Sequence, residues 1–387
     1  MMKNLRKNKS GISLIVLVIT IIVMIILATA IILSLSNSGI IGKANKAKTD
    51  SDTANLKEYV NTLRAEWELM TDAERTAKAN SFEAYANEKL AANGYKVMLS
   101  DDGVLMNEVA TAAVKAGIKV GDIVTGYTVT ETTYTTSGEE NTADPADYIE
   151  INPQPQTVKT NTNVTWKYLG VNANGELEIM ADLGEEAADN TMVTLGGKGG
   201  YLKGPAMLNT ICEKLYSKEG VGTARSMNID DVNNILGYTG PKGTYYDTDN
   251  KTTSTPLTIG KIESKLGTTL GGRTTPDGKD IATYYSDYYY ISKTNDVKKM
   301  KKPENVDLVY NAKNSYWLAS PCVYADFGIS LASFYVRYVD STSVNANIVF
   351  DSYDGSDVIT CAVCPVVSLK SNVQLEQNTE KTAWEIK

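Results

Sequence analysis

The stretch Leu318–Leu369 has the sequence LASPCVYADFGISLASFYVRYVDSTSVNANIVFDSYDGSDVITCAVCPVVSL. It contains no Lys, Glu, Gln, Met or Trp, although these types are plentiful in the rest of the chain. It holds three of the 4 Phe and three of the 4 Cys of the chain. A codon whose first two bases vary and whose third base is C never encodes any of the five missing types. The composition therefore favours codons randomised at adenines, which would make this stretch hypervariable.

A second interpretation is ordinary strand composition, because strands also favour Val, Tyr, Phe, Ser and Thr over Lys and Glu. Strand preference lowers Lys and Glu but does not explain the loss of all five types. Alternating residues such as Tyr335, Arg337 and Val339 are typical of one face of a strand, and one face must be core. We therefore expect display positions scattered among scaffold residues. The predicted display positions are Tyr324, Asp326, Phe327, Leu331, Phe334, Tyr335, Asp340, Asn345, Asn347, Tyr353, Asp354, Asp357 and Ile359.

Overall composition limits the classes of function. A chain of 387 residues is long enough for two or three domains. The net charge of −8 argues against a nucleic-acid partner, which requires a basic face. The chain has no His, the commonest general base and the commonest metal ligand. We therefore expect no cofactor, no bound metal and no enzymatic activity.

The N-terminus predicts export. Residues Met1–Ser10 are short and basic, and the chain is then almost wholly apolar from Ile12 to Leu35. An apolar helix of that length can cross about 30 Å of hydrocarbon, with the basic flank in the cytoplasm. A secretory signal peptide is the alternative, but the cleavage-like triplet Ala28-Thr29-Ala30 lies inside continuing apolar sequence.

The arrangement Lys9-Ser10-Gly11 followed by Ile12-Ser13-Leu14-Ile15 resembles the type IV prepilin signal. The resemblance implies that a prepilin peptidase cleaves between Gly11 and Ile12, and that Ile12 becomes the methylated terminus. It also implies a membrane location before assembly, and other pilin or pseudopilin subunits as partners. The family usually carries Glu at the fifth mature position, where this chain has Val16. In the family that carboxylate meets the terminal amine of a neighbouring subunit, so its absence favours a filament tip.

The C-terminal half carries a second resemblance. The pieces Trp166-Lys167-Tyr168-Leu169-Gly170, Tyr316-Trp317-Leu318-Ala319-Ser320 and Pro365-Val366-Val367-Ser368-Leu369 resemble bacterial domains of the C-type-lectin fold. That frame usually has Arg where this chain has Cys364. Relatives of the fold are target proteins of diversity-generating retroelements, which randomise adenines near the 3′ end of a gene. The resemblance therefore implies the same hypervariability that the composition of Leu318–Leu369 favours.

The cysteines near the C-terminus have CxxC spacing in Cys361-Ala362-Val363-Cys364. A single such pair without His is a weak indication of zinc or redox chemistry. An extracellular disulfide between two of Cys322, Cys361 and Cys364 is the preferred interpretation. The lectin-type fold also hosts formylglycine-generating oxidases that use a cysteine pair, but the residues around Cys361 and Cys364 do not support that assignment.

Together these features predict an α+β fold, in which a long N-terminal pilin-type transmembrane and assembly helix precedes a C-type-lectin-like mixed domain. The expected segments are a leader (1–11), a pilin helix with a membrane span at 12–35 and a second helix (12–94), a small strand region and linker (95–163), a lectin-like domain (164–372) with its variable region (318–369), and a tail (373–387).

The predicted function is that of a minor or tip pilin-like adhesin at the cell surface. Its variable face would bind a protein or glycan on a cell or phage surface. The alternative is a structural pseudopilin of a secretion or pilus-like machine without a dedicated ligand.

Local patterns predict individual elements. An amphipathic helix is expected from Lys43 to about Leu69, followed by a helix N-cap at Thr71. Trp166–Met180 predicts two strands joined by a turn at 172–175. A helix is expected to start at Pro205 after a glycine-rich turn. A further short helix is expected with Ser226 or Asn228 as its cap and Gly237 at its end.

Overall fold

The computed structural model describes residues 40–137, 155–184, 191–242, 244–247, 252–254, 284–286, 288–311, 313–326, 331–351 and 358–387. The chain divides into two compact units, Met1–Lys89 and Leu90–Lys387. The described part is mixed α/β and mostly sheet.

The described part of the first unit is helical. Helices α1 (Ile40–Leu69) and α2 (Asp72–Lys78) are followed by α3 (Phe82–Ala92), which runs into the second unit. The predicted N-cap at Thr71 is confirmed, because its hydroxyl accepts from the Glu74 amide and the Glu74 carboxylate accepts from the Thr71 amide. Trp67 packs on Tyr85 with ring centroids 5.3 Å apart.

The predicted fold class is wrong for the part of the chain that the structure describes. None of the helices there is long and apolar enough to cross a membrane. Helix α1 is long, but polar and charged residues follow one another along it, as in Lys57-Glu58 and Arg64-Ala65-Glu66. The predicted membrane span at 12–35 and the cleavage site at Gly11 and Ile12 lie outside the described residues.

The second unit contains a seven-stranded sheet with the order β19-β20-β3-β6-β7-β18-β9. Its strands are β3 (Ile123–Thr125), β6 (Thr165–Val171), β7 (Leu177–Asp182), β9 (Gly222–Ser226), β18 (Pro365–Leu369), β19 (Leu375–Gln377) and β20 (Trp384–Ile386). The expected domain boundaries at 163–164 and 372–373 both fall inside this sheet. Trp384 from the expected tail is buried, and its strand pairs with β3.

The predicted strand pair at Trp166–Met180 is confirmed as the hairpin of β6 and β7. Its turn requires glycine at position 175, where φ is +78°. A Cβ atom there would lie 1.9 Å from the carbonyl oxygen of Leu105. Both the left-handed backbone and the close approach therefore exclude a larger residue.

A second, nine-stranded sheet carries the predicted variable region. Its main path is β11-β10-β12-β14-β15-β16-β13, and β17 joins β14 to β8. The strands are β8 (Met192–Gly196), β10 (Thr244–Asp247), β11 (Thr252–Ser254), β12 (Tyr284–Ser286), β13 (Ile291–Ser292), β14 (Tyr316–Asp326), β15 (Leu331–Val339), β16 (Ser343–Asp351) and β17 (Val358–Val363). Strands β10, β11 and β12 therefore lie at one end of the sheet that contains the predicted variable region.

The described part of this unit also contains two small sheets and four α-helices. The sheets pair β1 (Met98–Leu99) with β2 (Leu105–Met106) and β4 (Thr133–Thr135) with β5 (Thr157–Lys159). The helices are α4 (Glu108–Lys115), α5 (Gly197–Tyr216), α6 (Ile229–Leu236) and α7 (Val306–Tyr310). Asn228 caps α6 as predicted, and Gly237 ends it in the left-handed conformation. Helix α5 begins at Gly197, so the prediction of a start at Pro205 is wrong.

Candidate ligand-binding surface

Three long antiparallel strands, β14, β15 and β16, hold most of the predicted variable region. Side chains along a strand alternate between the two faces of its sheet, and directly paired residues share a face. In β15, Phe334 and Val336 therefore lie on one face, and Tyr335 and Arg337 lie on the other. We call the first the helix face and the second the tyrosine face.

The helix face is closed by α5, which packs across β14, β15 and β16. Phe334 is 0% exposed, and its ring meets that of Tyr201 edge-on with centroids 5.1 Å apart. Val336 is also fully buried. Phe334 was among the predicted display positions, but its contacts make it a core residue that fixes the helix against the sheet.

The tyrosine face brings together two of the predicted display residues. Cys322 pairs with Tyr335 and Tyr324 pairs with Ser333, so Tyr324 and Tyr335 lie on the same face of neighbouring strands. Both tyrosines are half-buried, whereas Cys322 is fully buried. This face therefore presents aromatic surface to solvent from rigid strands.

Residues 288–290 cross this face just before β13. The Tyr288 ring lies 5.4 Å from that of Tyr335, measured between centroids. Its hydroxyl donates a hydrogen bond of 2.9 Å to Oδ1 of Asn345, another predicted display residue. Tyr288 therefore links two strands of the predicted variable region. Burial raises the pKa of Tyr288, so its phenol stays protonated and remains a donor at neutral pH.

Arg337 holds residues 288–290 against the sheet through its contacts with Tyr289. Its side chain is only 1% exposed, and its guanidinium lies 4.3 Å from the centroid of the Tyr289 ring. Nη1 donates to the Tyr289 carbonyl oxygen at 3.1 Å. Tyr289 in turn stacks on Tyr238 at 5.9 Å and accepts a 2.8 Å hydrogen bond from Asn233. The π face and the carbonyl both stabilise the buried cation, and they fix Tyr289 to the scaffold.

Asp340 is a predicted display residue, but in the structure its side chain stabilises a turn. It lies in the turn between β15 and β16, where Oδ1 accepts hydrogen bonds from the amides of Thr342 at 2.7 Å and Ser343 at 2.8 Å. Partial burial would raise the pKa of this carboxyl, but the hydrogen bonds from Thr342 and Ser343 outweigh it and lower the pKa. Its carboxylate therefore holds the hairpin together.

The other predicted positions divide into three groups. Ile359 is half-buried on β17, beside Val358, which is 63% exposed. Asp326, Leu331 and Asn347 lie in strands, but their side chains are outside the described part of the chain. Phe327, Tyr353, Asp354 and Asp357 lie outside the described residues altogether.

All four cysteines are buried, and the disulfide expected between two of Cys322, Cys361 and Cys364 is not formed in the structure. Sγ of Cys364 lies 3.8 Å from Sδ of Met227 and 3.8 Å from the carbonyl oxygen of Ala181. Burial raises the pKa of Cys361 to about 12 and that of Cys364 well above its usual value. Protonated, buried thiols are unreactive, so these residues behave as small core side chains.

The sequence-based prediction missed Tyr288 and Tyr290, because it searched for display positions only within Leu318–Leu369. The run Tyr288-Tyr289-Tyr290 directly before a β-branched strand residue was the available signal. Among the described residues, no group of three or more acidic or Cys side chains could hold a metal ion.

Comparison with known proteins finds no matching family model, no similar curated protein and no similar solved structure.

Proposed function

We propose that this chain is a surface adhesin whose tyrosine face binds a macromolecular ligand and varies through a diversity-generating retroelement. One observation carries the proposal. Two residues of the stretch that lacks Lys, Glu, Gln, Met and Trp, namely Tyr324 and Tyr335, are partly exposed on the tyrosine face of the second sheet. Their neighbour Phe334 is buried under α5 on the opposite face.

This division separates recognition from stability. Substitutions of partly exposed strand residues typically change the free energy of unfolding by about 1 kcal/mol or less, whereas large-to-small changes in a core cost about 2–5 kcal/mol. A retroelement that altered Tyr324 or Tyr335 would change the binding surface, while Phe334 and Val336 would keep the sheet attached to its helix. A domain of the C-type-lectin-like kind supplies the frame in this proposal.

A protein surface is the ligand class that fits these side chains best. Tyr supplies rigid amphipathic contact area, and Asn and Ser supply adaptable hydrogen bonds, which is the composition of protein-binding loops in antibodies. The tyrosines here stand on strands of an extended sheet. Extended aromatic surfaces of this kind suit a broad protein partner on a cell or phage.

The prepilin-like sequence around Gly11 and Ile12 supports export, cleavage by a prepilin peptidase and assembly with other pilin-like subunits. Val16 in place of the family Glu favours a minor subunit at a filament tip. Antibody against the second unit, applied to intact filaments, should label their ends. Labelling along the whole shaft would contradict the tip position.

The DNA downstream of the coding sequence tests the variable face directly. We expect a near-copy of the codons for 318–369 that differs only at adenines, next to a reverse-transcriptase gene. If no such copy exists, the retroelement proposal fails. A structural pseudopilin without a dedicated ligand would then be the better description.

A further inference from the structure

We propose that the ligand-binding surface is composite: Tyr288 and Tyr290, which lie outside the variable region, form a fixed aromatic rim beside the variable tyrosines. We define this fixed rim as these two residues. The inference rests on the proposed function and deepens it, because it assigns contact residues that no codon randomisation within 318–369 would change.

The segment that carries the fixed rim lies outside the variable stretch by composition. Lys293, Lys298, Lys299 and Met300 follow it closely, and Lys and Met are two of the five types that are missing from 318–369. The rim is nevertheless adjacent to variable residues in space. Ile291, which follows Tyr290 directly, pairs with Val344 at the start of β16.

Tyr288 contacts the variable residues themselves. Its ring packs beside that of Tyr335 at 5.4 Å, and its hydroxyl donates to Asn345 at 2.9 Å. These contacts position one aromatic and one amide side chain on neighbouring strands. Tyr288 is therefore a positioning residue, and the exposed part of its ring extends the aromatic surface beyond Tyr335.

Tyr290 is the more exposed member of the fixed rim, at 43%. The backbone that carries it is held by its neighbours. Tyr289 is fixed by Arg337, Tyr238 and Asn233, and Ile291 is fully buried in β13. An exposed aromatic ring on an anchored backbone loses little conformational entropy on binding, which is the property of a good anchor residue.

The composite surface has a physical advantage for a diversified protein. In every variant the fixed rim contributes the same aromatic contacts to the ligand. The variable side chains therefore have to supply fewer contacts to reach a useful affinity. Tyrosine suits that task because its ring packs against apolar groups and its hydroxyl adapts to polar groups. We infer that the rim contacts protein ligands of different sequence.

The test uses ribosome display of the full chain with positions 324 and 335 randomised and Asn345, the partner of the Tyr288 hydroxyl, kept. Variants are selected in parallel for binding to lysozyme, as a protein probe, and to dextran, as a glycan probe. Each selected binder then receives Tyr290→Ala, Tyr288→Phe or Tyr95→Ala. Tyr95 is the matched control, because it is 42% exposed, close to the 43% of Tyr290, and lies in the loop between α3 and β1.

We expect most lysozyme binders to lose affinity roughly ten-fold with Tyr290→Ala and a few-fold with Tyr288→Phe. Tyr95→Ala should leave affinity within about two-fold. The thermal unfolding midpoint should hardly change with Tyr290→Ala, which separates a contact role from a structural one.

If the selected binders keep their affinity with Tyr290→Ala and with Tyr288→Phe, the proposal of a composite surface is wrong. The proposal that Tyr324 and Tyr335 bind ligand would still hold. Binders to dextran alone would overturn the choice of a protein ligand. If neither selection yields binders, the proposed function itself fails, and the fixed rim fails with it.

Discussion

The helix face and the tyrosine face of β14–β16 use the same strands but differ in what covers them. The helix face is sealed by α5, so Phe334 and Val336 are fully buried. Residues 288–290 lie over part of the tyrosine face, where they bury Arg337 but leave Tyr335 and Tyr324 partly exposed. Adjacent residues of one strand therefore belong to a fully buried packing surface and to a partly exposed surface.

The strongest test of this contrast substitutes the neighbours Phe334 and Tyr335. Phe334→Ala removes a buried ring that packs on Tyr201, so it should lower the free energy of unfolding by about 3–5 kcal/mol. Tyr335→Ala should cost about 1 kcal/mol or less, because Tyr335 is partly exposed. Urea unfolding of the full chain measures both. Equal losses would contradict the assignment of the two faces.

A smaller loss is expected at the base of the tyrosine face. Arg337→Met keeps the length of the side chain but removes the guanidinium over Tyr289 and its hydrogen bond to the Tyr289 carbonyl. This change should cost about 2 kcal/mol, since a hydrogen bond to a charged group and a cation–π contact are both lost.

Arg337→Lys is the matched control for that variant. It keeps the charge and should recover part of the lost stability, measured by the same unfolding experiment. If Arg337→Met and Arg337→Lys have the same free energy of unfolding, Arg337 does not hold residues 288–290 in place.

The link between Tyr288 and Asn345 should be weaker still. A double-mutant cycle with Tyr288→Phe and Asn345→Ala isolates the hydrogen bond, because Phe preserves the ring that packs on Tyr335. We expect a coupling of about 0.5–1 kcal/mol in the free energy of unfolding. Additive losses would mean that the hydroxyl of Tyr288 does not hold Asn345.

The smallest effect concerns the turn that joins β15 and β16. The folded-state pKa of Asp340 lies below its usual value of 3.8, so its carboxylate stabilises the fold above that pH, and the contribution disappears as the pH falls through the folded pKa. Asp340→Asn should therefore be less stable than the natural chain near neutral pH by a few tenths of a kcal/mol. The difference should shrink at about pH 3. A pH-independent difference would exclude the charge as its cause.

Local signals predicted several elements of this fold. Thr71 and Asn228 were recognisable as helix caps because each precedes an acidic residue at the third helical position, Glu74 or Asp231. The turn before Gly175 followed from its Asn and Gly content. These features depend only on neighbours in sequence, so the chain reveals them without a structure.

Long-range pairing could not be predicted in the same way. Alternation in β15 showed that Phe334 and Tyr335 face opposite sides, but both are aromatic, and only the position of α5 decides which one is core. The pairing of Tyr284–Ser286 with β14 joins segments about 40 residues apart, and no local pattern reports it. Because contacts between distant segments are not visible in the sequence, Tyr288 was not predicted as a surface residue beside Tyr335. For the same reason, residues 373–387 were expected to be a tail and not part of a sheet.

The central claim is that variation is tolerated on the tyrosine face and excluded from the helix face. Two libraries of the full chain test it, one randomised at Tyr324 and Tyr335 and the other at Phe334 and Val336, each scored for resistance to protease. We predict that most members of the first library stay folded and that only members with large apolar residues survive in the second. Equal survival in the two libraries would contradict the account.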